Sequence, residues 1–284
     1  LKIILKQLLA TAAVIVGISA ACLAVEKAAA ENEDAVWKAV HENDYRNDDD
    51  AARDNARHPV ELMRFLGITK TMSVAEVNPG GGWYSRILGP LLKDDGLYVG
   101  LEHHPDVYML YANYAKVLRA YPEKIEVARD LYGGRAIGTW IPATDGLPVE
   151  AGSLDVVLTV RALHNWYRIG FFDKALDQSW QILKDGGVFG IVQHRADESS
   201  SDNRMAAAQR GRWKQSDLIA EIEAKGFKLV ASSEMNANPR DTKDYDTGVW
   251  TLPPVFALGE DDQAKYAAIG ESDRMTLKFI KVPR

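Results

Sequence analysis

Apolar and polar positions follow two different rhythms along this chain. Up to residue 71 the spacing is helical: Ala35-Val36-Trp37-Lys38-Ala39-Val40, a charged stretch over 43–57, then Pro59-Val60-Glu61-Leu62-Met63-Arg64-Phe65-Leu66-Gly67. Pro59 suits a first helical turn and Gly67 a C-terminal stop. From residue 72 onward, short β-rich runs alternate with helical stretches. Strands are predicted over 72–77, 96–101, 125–128, 154–160, 188–192, 227–231 and 275–282. The run 154–160 is almost wholly apolar, as expected of a strand buried on both faces. Helices are predicted through Ile87 and Leu88, over 107–120, along Phe172, Leu176, Trp180 and Leu183 up to the stop at Gly186-Gly187, and over 217–225. Ser216 is a fitting N-cap for the last of these and Gly226 its end. Strands alternating with helices indicate an α/β chain with a doubly wound sheet. No internal repeat is present. The stretch 236–271 is mostly irregular, and a segment that long reads as a lid or substrate loop.

The first thirty residues have a different character. Lys2 and Lys6 precede an uncharged apolar run over 8–25, and Ala28-Ala29-Ala30 leads into the polar start Glu31-Asn32-Glu33-Asp34. A basic segment, an apolar core and an A-x-A site make up a secretory signal. The expectation is therefore an exported, periplasmic protein with a signal peptide over 1–30, a helical extension over 31–71 and an α/β domain over 72–284. If the leader is retained it becomes a membrane anchor. Cleavage after Ala30 removes Cys22, the only cysteine of the 284 residues, which suits an oxidising compartment. One cysteine also excludes an intramolecular disulfide and any multi-cysteine metal site. With 34 Lys and Arg against 40 Asp and Glu, the net charge is −6, and no nucleic-acid partner is expected.

The pattern richest in chemistry is Val74-Ala75-Glu76-Val77-Asn78-Pro79-Gly80-Gly81-Gly82-Trp83-Tyr84-Ser85. A strand ends in an acid, passes through small residues and opens a helix. Glycines there let the backbone approach a ligand with no Cβ in the way, and open α/β sheets bind ligands at the carboxyl ends of their strands. A second acid, Glu102, ends the next strand about twenty residues on, where a carboxylate can accept both hydroxyls of a ribose. A tight structural turn is the competing reading of the glycines alone. The dinucleotide pattern G-x-G-x-x-G fits less well, because Ser85 occupies its third glycine position.

This stretch resembles motif I, E-x-G-x-G-x-G, of the class I S-adenosylmethionine (SAM) dependent methyltransferases. Glu76 matches the acid, and Gly80 and Gly82 match the second and third glycines. Asn78 stands in place of the first, and Asn tolerates positive φ better than most residues. Asp145-Gly146-Leu147-Pro148 with Gly152-Ser153-Leu154-Asp155-Val156-Val157 resembles the family's approach to strand four. Leu183-Lys184-Asp185-Gly186-Gly187-Val188 resembles its turn before strand five. The resemblance covers about residues 60–284. It is nearest to an uncharacterised exported methyltransferase-like group whose members often share an end like Glu271-Ser272-Asp273-Arg274-Met275. It implies a Rossmann-like, mostly parallel seven-stranded sheet with an antiparallel last strand. It also implies SAM as cofactor, held by Glu76, Asn78, Gly80 and Gly82, with Glu102 on the ribose. The family's adenine-contacting acid would fall near Ala143, which leaves Asp145 as the nearest substitute.

Methyl transfer from a sulfonium is an in-line displacement, so the protein mainly aligns the partners and removes a proton where the acceptor needs it. The base candidates are His164, in Arg161-Ala162-Leu163-His164-Asn165-Trp166-Tyr167, and His194, in Gln193-His194-Arg195. A pocket-wall or packed role competes for each. Arg195 could hold an anionic substrate group bidentately. Trp166, Tyr167, Phe171 and Phe172 could box a substrate or simply pack in the core. His103-His104 with the other histidines invite a metal, but no H-x-x-x-H or H-E-x-x-H spacing exists and none is expected. The run Asp48-Asp49-Asp50 with Arg53, Asp54 and Arg57 reads as a solvated helical face. The expectation is an exported enzyme moving a methyl group from SAM to a small molecule, touching membrane only through a retained leader. Because SAM is made in the cytosol, the other reading is an exported ligand-binding protein that keeps the fold without the reaction.

Overall fold

The computed structural model describes residues 25–107 and 112–284. Most of the predicted leader, with Lys2, Lys6 and Cys22, lies outside the described residues, as does part of the helix predicted over 107–120. Four helices precede the sheet: α1 (25–41), α2 (Asp48–Ala51), α3 (Asp54–Arg57) and α4 (Pro59–Leu66). The expected cleavage point after Ala30 falls inside α1. Asn47 starts α2 by accepting the Asp50 N–H at 2.9 Å. Pro59 opens α4 and Gly67, at φ 78°, closes it, as the sequence predicts. The sheet strands and their crossovers follow: β1 (Ser73–Val77), α5 (Ser85–Leu92), β2 (Leu97–His103), α6 (Ala112–Arg119), α7 (Tyr121–Val127), α8 (Arg129–Tyr132), β3 (Ile137–Ile141), β4 (Leu154–Val160), α9 (Leu163–Arg168), α10 (Phe172–Ile182) and β5 (Leu183–His194). The chain closes with α11 (Arg204–Gln209), α12 (Gln215–Glu223), β6 (Phe227–Ser233), a 3-10 turn at Gly248–Thr251, α13 (Gln263–Ile269) and β7 (Arg274–Lys281).

The seven strands run in the order β3-β2-β1-β4-β5-β7-β6. β1 to β5 pair in parallel, and β7 inserts antiparallel between β5 and β6. The chain is thus a Rossmann-like, mostly parallel α/β sheet with an antiparallel last strand. Its third strand departs from expectation. Residues 125–128 belong to α7 and its end, not to a strand. Pro122 sits in the first turn of α7, and Tyr121 and Ile125, one turn apart, share its buried face. The true edge strand, β3, is half exposed and carries Gly138, so it shows no apolar run. α12 also starts earlier than predicted, at Gln215, while Ser216 bonds to Glu198 instead of capping.

Each face of the sheet buries its own hydrophobic cluster. One packs α9, α10 and α12 through Leu163, Trp166, Leu176, Leu218 and Ile222 onto Val157, Phe189, Leu277 and Phe279. The other packs α1, α4 and α5 through Val36, Val40, Leu62, Leu66 and Ile87 onto Val74, Val156, Leu158 and Val192. Val36, Ala39 and Val40 recur at helical spacing, so the early helices form a true layer over the sheet. α4 lies so close that a Cβ at Gly190 of β5 would stand 2.7 Å from the Leu66 side chain. Because the order reverses direction between β1 and β4, their carboxyl ends splay apart and open a crevice at the switch point.

Candidate active site

The bend after β1 lies at this crevice. Asn78, Gly80 and Gly82 all have positive φ, at 55°, 56° and 77°, a region that glycine enters freely and Asn tolerates. Asn78 does more than turn the chain. Its Oδ1 accepts from Trp166 Nε1 at 2.7 Å, and its Nδ2 donates to Glu102 Oε2 at 3.3 Å. The Gly80 N–H donates to Glu102 Oε1 at 3.2 Å. Glu102, at the tip of β2, is therefore buried and seated against the bend. Burial raises its pKa, and these donors oppose the rise.

Two further groups fix the bend from behind. Glu76 Oε2 accepts from Ser85 Oγ at 2.6 Å and Tyr98 Oη at 2.8 Å. Burial lifts its carboxyl to about 7 despite those bonds. Arg86 of α5 donates to the Gly81 carbonyl at 2.8 Å and is itself held by Asp50 at 2.6 and 2.7 Å. The predicted solvated face over 48–57 is thus corrected. Asp48 and Asp49 are exposed, but Asp50 and Arg57 are buried, Arg46 pairs with Asp54, and the segment braces the glycine bend. The acidic run scans like a charged helix, yet the short helices α2 and α3 turn alternate charges inward.

A cavity of about 450 Å³ opens over the carboxyl ends of β1, β2, β4 and β5, within the range of small-molecule sites. Glu76, Asn78, Gly80 and Glu102 line one side, and Arg161, His164 and His194 the other. Arg53 and Arg57 enter from the N-terminal helices, and Trp250 from the irregular stretch 236–271. At Gly80 an added Cβ would meet only the Asn78 carbonyl, at 3.9 Å, and at Gly81 nothing within 4 Å. The bend therefore leaves a cradle that side chains would fill.

His164 and His194 lie together, ring centroids 5.6 Å apart, and Trp250 stands edge-on to His164 at 5.8 Å. Burial, with Arg168 nearby, lowers the His164 pKa to about 3. Burial, then His164 and Arg161, holds His194 well below its usual value. Both rings are neutral. Gln193 Nε2 donates to the Gly211 carbonyl at 3.0 Å, which orients its amide, and its second hydrogen faces His164 Nδ1 at 3.3 Å. His164 therefore accepts at Nδ1 and carries its proton on Nε2. His194 Nδ1 meets Ser272 Oγ at 2.5 Å. With the proton on Nδ1, its Nε2 is a proton acceptor.

Behind this wall stands an ion cluster that sequence reading missed. Glu271 pairs with Arg53 Nε at 3.1 Å, Arg57 Nε at 3.0 Å and Arg274 Nη1 at 2.8 Å. Burial alone would raise the Glu271 pKa, but Arg274, Arg57 and Arg161 bring it down to about 2. The only sequence signal was the run Glu271-Ser272-Asp273-Arg274-Met275. Its residues meet Arg53 and Arg57, His194, and Arg195.

Of the sequence candidates, Glu76, Asn78, Gly80, Glu102, His164 and His194 line one cavity, and Gly82 closes the same bend. Asp145 does not reach it. It lies in a separate hollow beside Asp173, Lys174 and Asp177, because the segment after β3 runs along the outer edge of the sheet. Arg195 is also placed elsewhere, tied to Glu234 at 3.0 Å and to Asp273 at 3.3 Å; the cationic groups lining the cavity are Arg53, Arg57, Arg86 and Arg161. Trp166, Phe171 and Phe172 are core residues. His103 lines the cavity and is driven to about 4 by burial, while His104 Nδ1 accepts from the Asp106 N–H. Among the described residues no group of three or more His, Cys, Asp or Glu side chains converges as a metal site.

The sequence matches no protein-family model and no curated protein. Solved structures do resemble it. A SAM-dependent methyltransferase from Aquifex aeolicus superposes with a TM-score of 0.51, over 81% of this chain and 93% of that one, at 14% identity. The (4+2)-cyclase SpnF gives 0.51 over 81% of each chain at 17% identity. A protein from Galdieria sulphuraria described as a sarcosine dimethylglycine methyltransferase gives 0.50, over 82% and 86%, at 13% identity. At such identities the likeness is one of architecture: this chain has the fold of the class I SAM-dependent methyltransferases.

Proposed function

We propose that the protein transfers a methyl group from SAM to a small-molecule acceptor. The observation that carries this reading is the buried Glu102 carboxylate seated against a positive-φ bend, beside a cavity at the sheet's switch point. Glu102 would accept the ribose hydroxyls, and the cradle at Gly80 and Gly81 leaves room for the nucleoside. SAM supplies the sulfonium methyl when bound. The chain's own task is to align the acceptor and take up a proton. His194 Nε2 would perform the second task, with Nδ1 held by Ser272. Its weak basicity is adequate, since an acceptor O–H or N–H becomes strongly acidic as the new bond to carbon forms. His164, protonated on Nε2, serves as a donor, and Trp250 covers that end of the cavity.

The fold alone does not decide the reaction, because one of the similar structures is a cyclase. Calorimetry of the purified protein with SAM and with S-adenosylhomocysteine tests the cofactor on which this reading depends. We expect both to bind, and Glu102→Ala to weaken binding at least about tenfold, roughly 1.4 kcal/mol. No binding, or an affinity indifferent to Glu102, refutes the reading. Export through the leader belongs to the same proposal. Mass spectrometry of the protein isolated from cells should show a chain beginning at Glu31; a chain retaining the leader would instead be anchored.

A further inference from the structure

The wall of the cavity next to β4 carries more positive charge than SAM chemistry requires. Arg53, Arg57 and Arg161 line it and Arg274 is buried behind them, and the anion they share is Glu271. Arg161 differs from the rest. Among the described residues its guanidinium makes no hydrogen bond and no close ion pair, and Glu271 attracts it only from farther off. It also holds a left-handed backbone at φ 57°, a conformation an Arg adopts only when its surroundings impose it. Two more donors on the same wall, Arg57 Nη2 and Tyr84 Oη, are buried with no hydrogen-bond partner. Such groups are costly to leave unmet. The cofactor does not relieve this excess. SAM carries a sulfonium and an ammonium against one carboxylate, so it brings a further positive charge.

We infer that the methyl acceptor is an acidic small molecule whose oxyanion, a carboxylate or phosphate group, is held by Arg161, Arg57 and the Tyr84 hydroxyl. The word acceptor rests on the methyl-transfer reading above; the oxyanion site rests on the arginines. Arg161 lies three residues before His164 and in the same wall as His194. The anion is thus anchored in the same cavity as the imidazoles and Glu102. Guanidinium groups favour oxyanions because their planar donors match paired oxygens.

The test titrates inorganic phosphate into the full-length protein saturated with S-adenosylhomocysteine. Phosphate should bind the complex. Arg161→Gln should weaken phosphate at least tenfold while changing S-adenosylhomocysteine affinity less than twofold. Arg161→Gly accepts the left-handed backbone without strain and must give the same loss, which separates a missing cation from a misfolded wall. Arg210→Gln, exposed and outside the cavity, should leave phosphate affinity unchanged. The inference is overturned if wild-type complex ignores phosphate, or if phosphate displaces S-adenosylhomocysteine. It is equally overturned if the Arg161 variants lose both ligands together, because the site then serves the cofactor's own carboxylate. Failure of S-adenosylhomocysteine to bind at all refutes methyl transfer and the acceptor assignment with it.

Discussion

Asn78 shows how a single residue absorbs a departure from a glycine-rich pattern. It adopts the φ that glycine would, and it spends its amide on Trp166 and Glu102. Replacing it by the motif's own glycine should therefore harm the protein. Asn78→Gly leaves the buried Trp166 N–H without an acceptor and should cost about 1–3 kcal/mol in urea unfolding. Asn78→Ala should cost at least as much, since it adds backbone strain. A glycine variant as stable as the parent would show the tie to be idle. The acids and glycines of this site were legible because they sit close together in sequence and ride on a strand-turn-helix pattern. Arg57 and Glu271 were not, being 214 positions apart and meeting only in the folded chain. Arg161 was read past for a related reason: nothing in its sequence neighbours reveals that its nearest anion, Glu271, is already shared by three other arginines.

Among the elements, six of the seven strands could be read from the sequence: the interior ones because strands covered on both faces exclude polar residues, and β6, at an edge, because Phe227, Leu229 and Ala231 alternate inward. β3 escaped because an edge strand needs no apolar run, and the β-branched residues of α7 imitated one. The early helices were recognised as helices, but their role as a layer of the core shows only in what they touch. Gly190 makes that contact testable. A Gly190→Ala substitution drives a methyl into Leu66 of α4 and should destabilise by about 1–3 kcal/mol. Adding Leu66→Ala should recover part of that cost, so that the double variant loses less than the sum of the single ones. Strict additivity would mean that α4 can lift off the sheet without penalty.

For the molecule as a whole, Glu271 joins the N-terminal helices to the start of β7 through Arg53, Arg57 and Arg274. Glu271→Gln strands buried guanidinium groups and should cost about 3–5 kcal/mol. The pH dependence follows. Glu271 is held at about 2 against an ordinary 4.5, so its contribution is complete above 4.5 and fades as pH falls toward 2. His164, held at about 3 against 6.5, works in the same direction from 6.5 downward, since the unfolded chain takes up its proton first. Glu76, raised to about 7, opposes the histidine loss between 7 and 4.5, so stability should decline most steeply in a lower stage below 4.5, and Glu271→Gln should flatten that lower stage in urea titrations at several pH values. An unchanged lower stage would mean the cluster's charge is screened by solvent.

The cavity is held by widely separated parts of the chain: Arg53 and Arg57, which line it, come early, and the Glu271–Arg274 run that backs them comes late. A ribosome making this protein releases Arg53, Arg57 and the glycine bend long before Glu271, the acid that pairs with both arginines. The full set of Glu271 ion pairs can form only when synthesis has passed Arg274. A chain cut short before Glu271 should therefore leave Arg53 and Arg57 without their anion, and limited proteolysis should cleave it faster than the full-length protein.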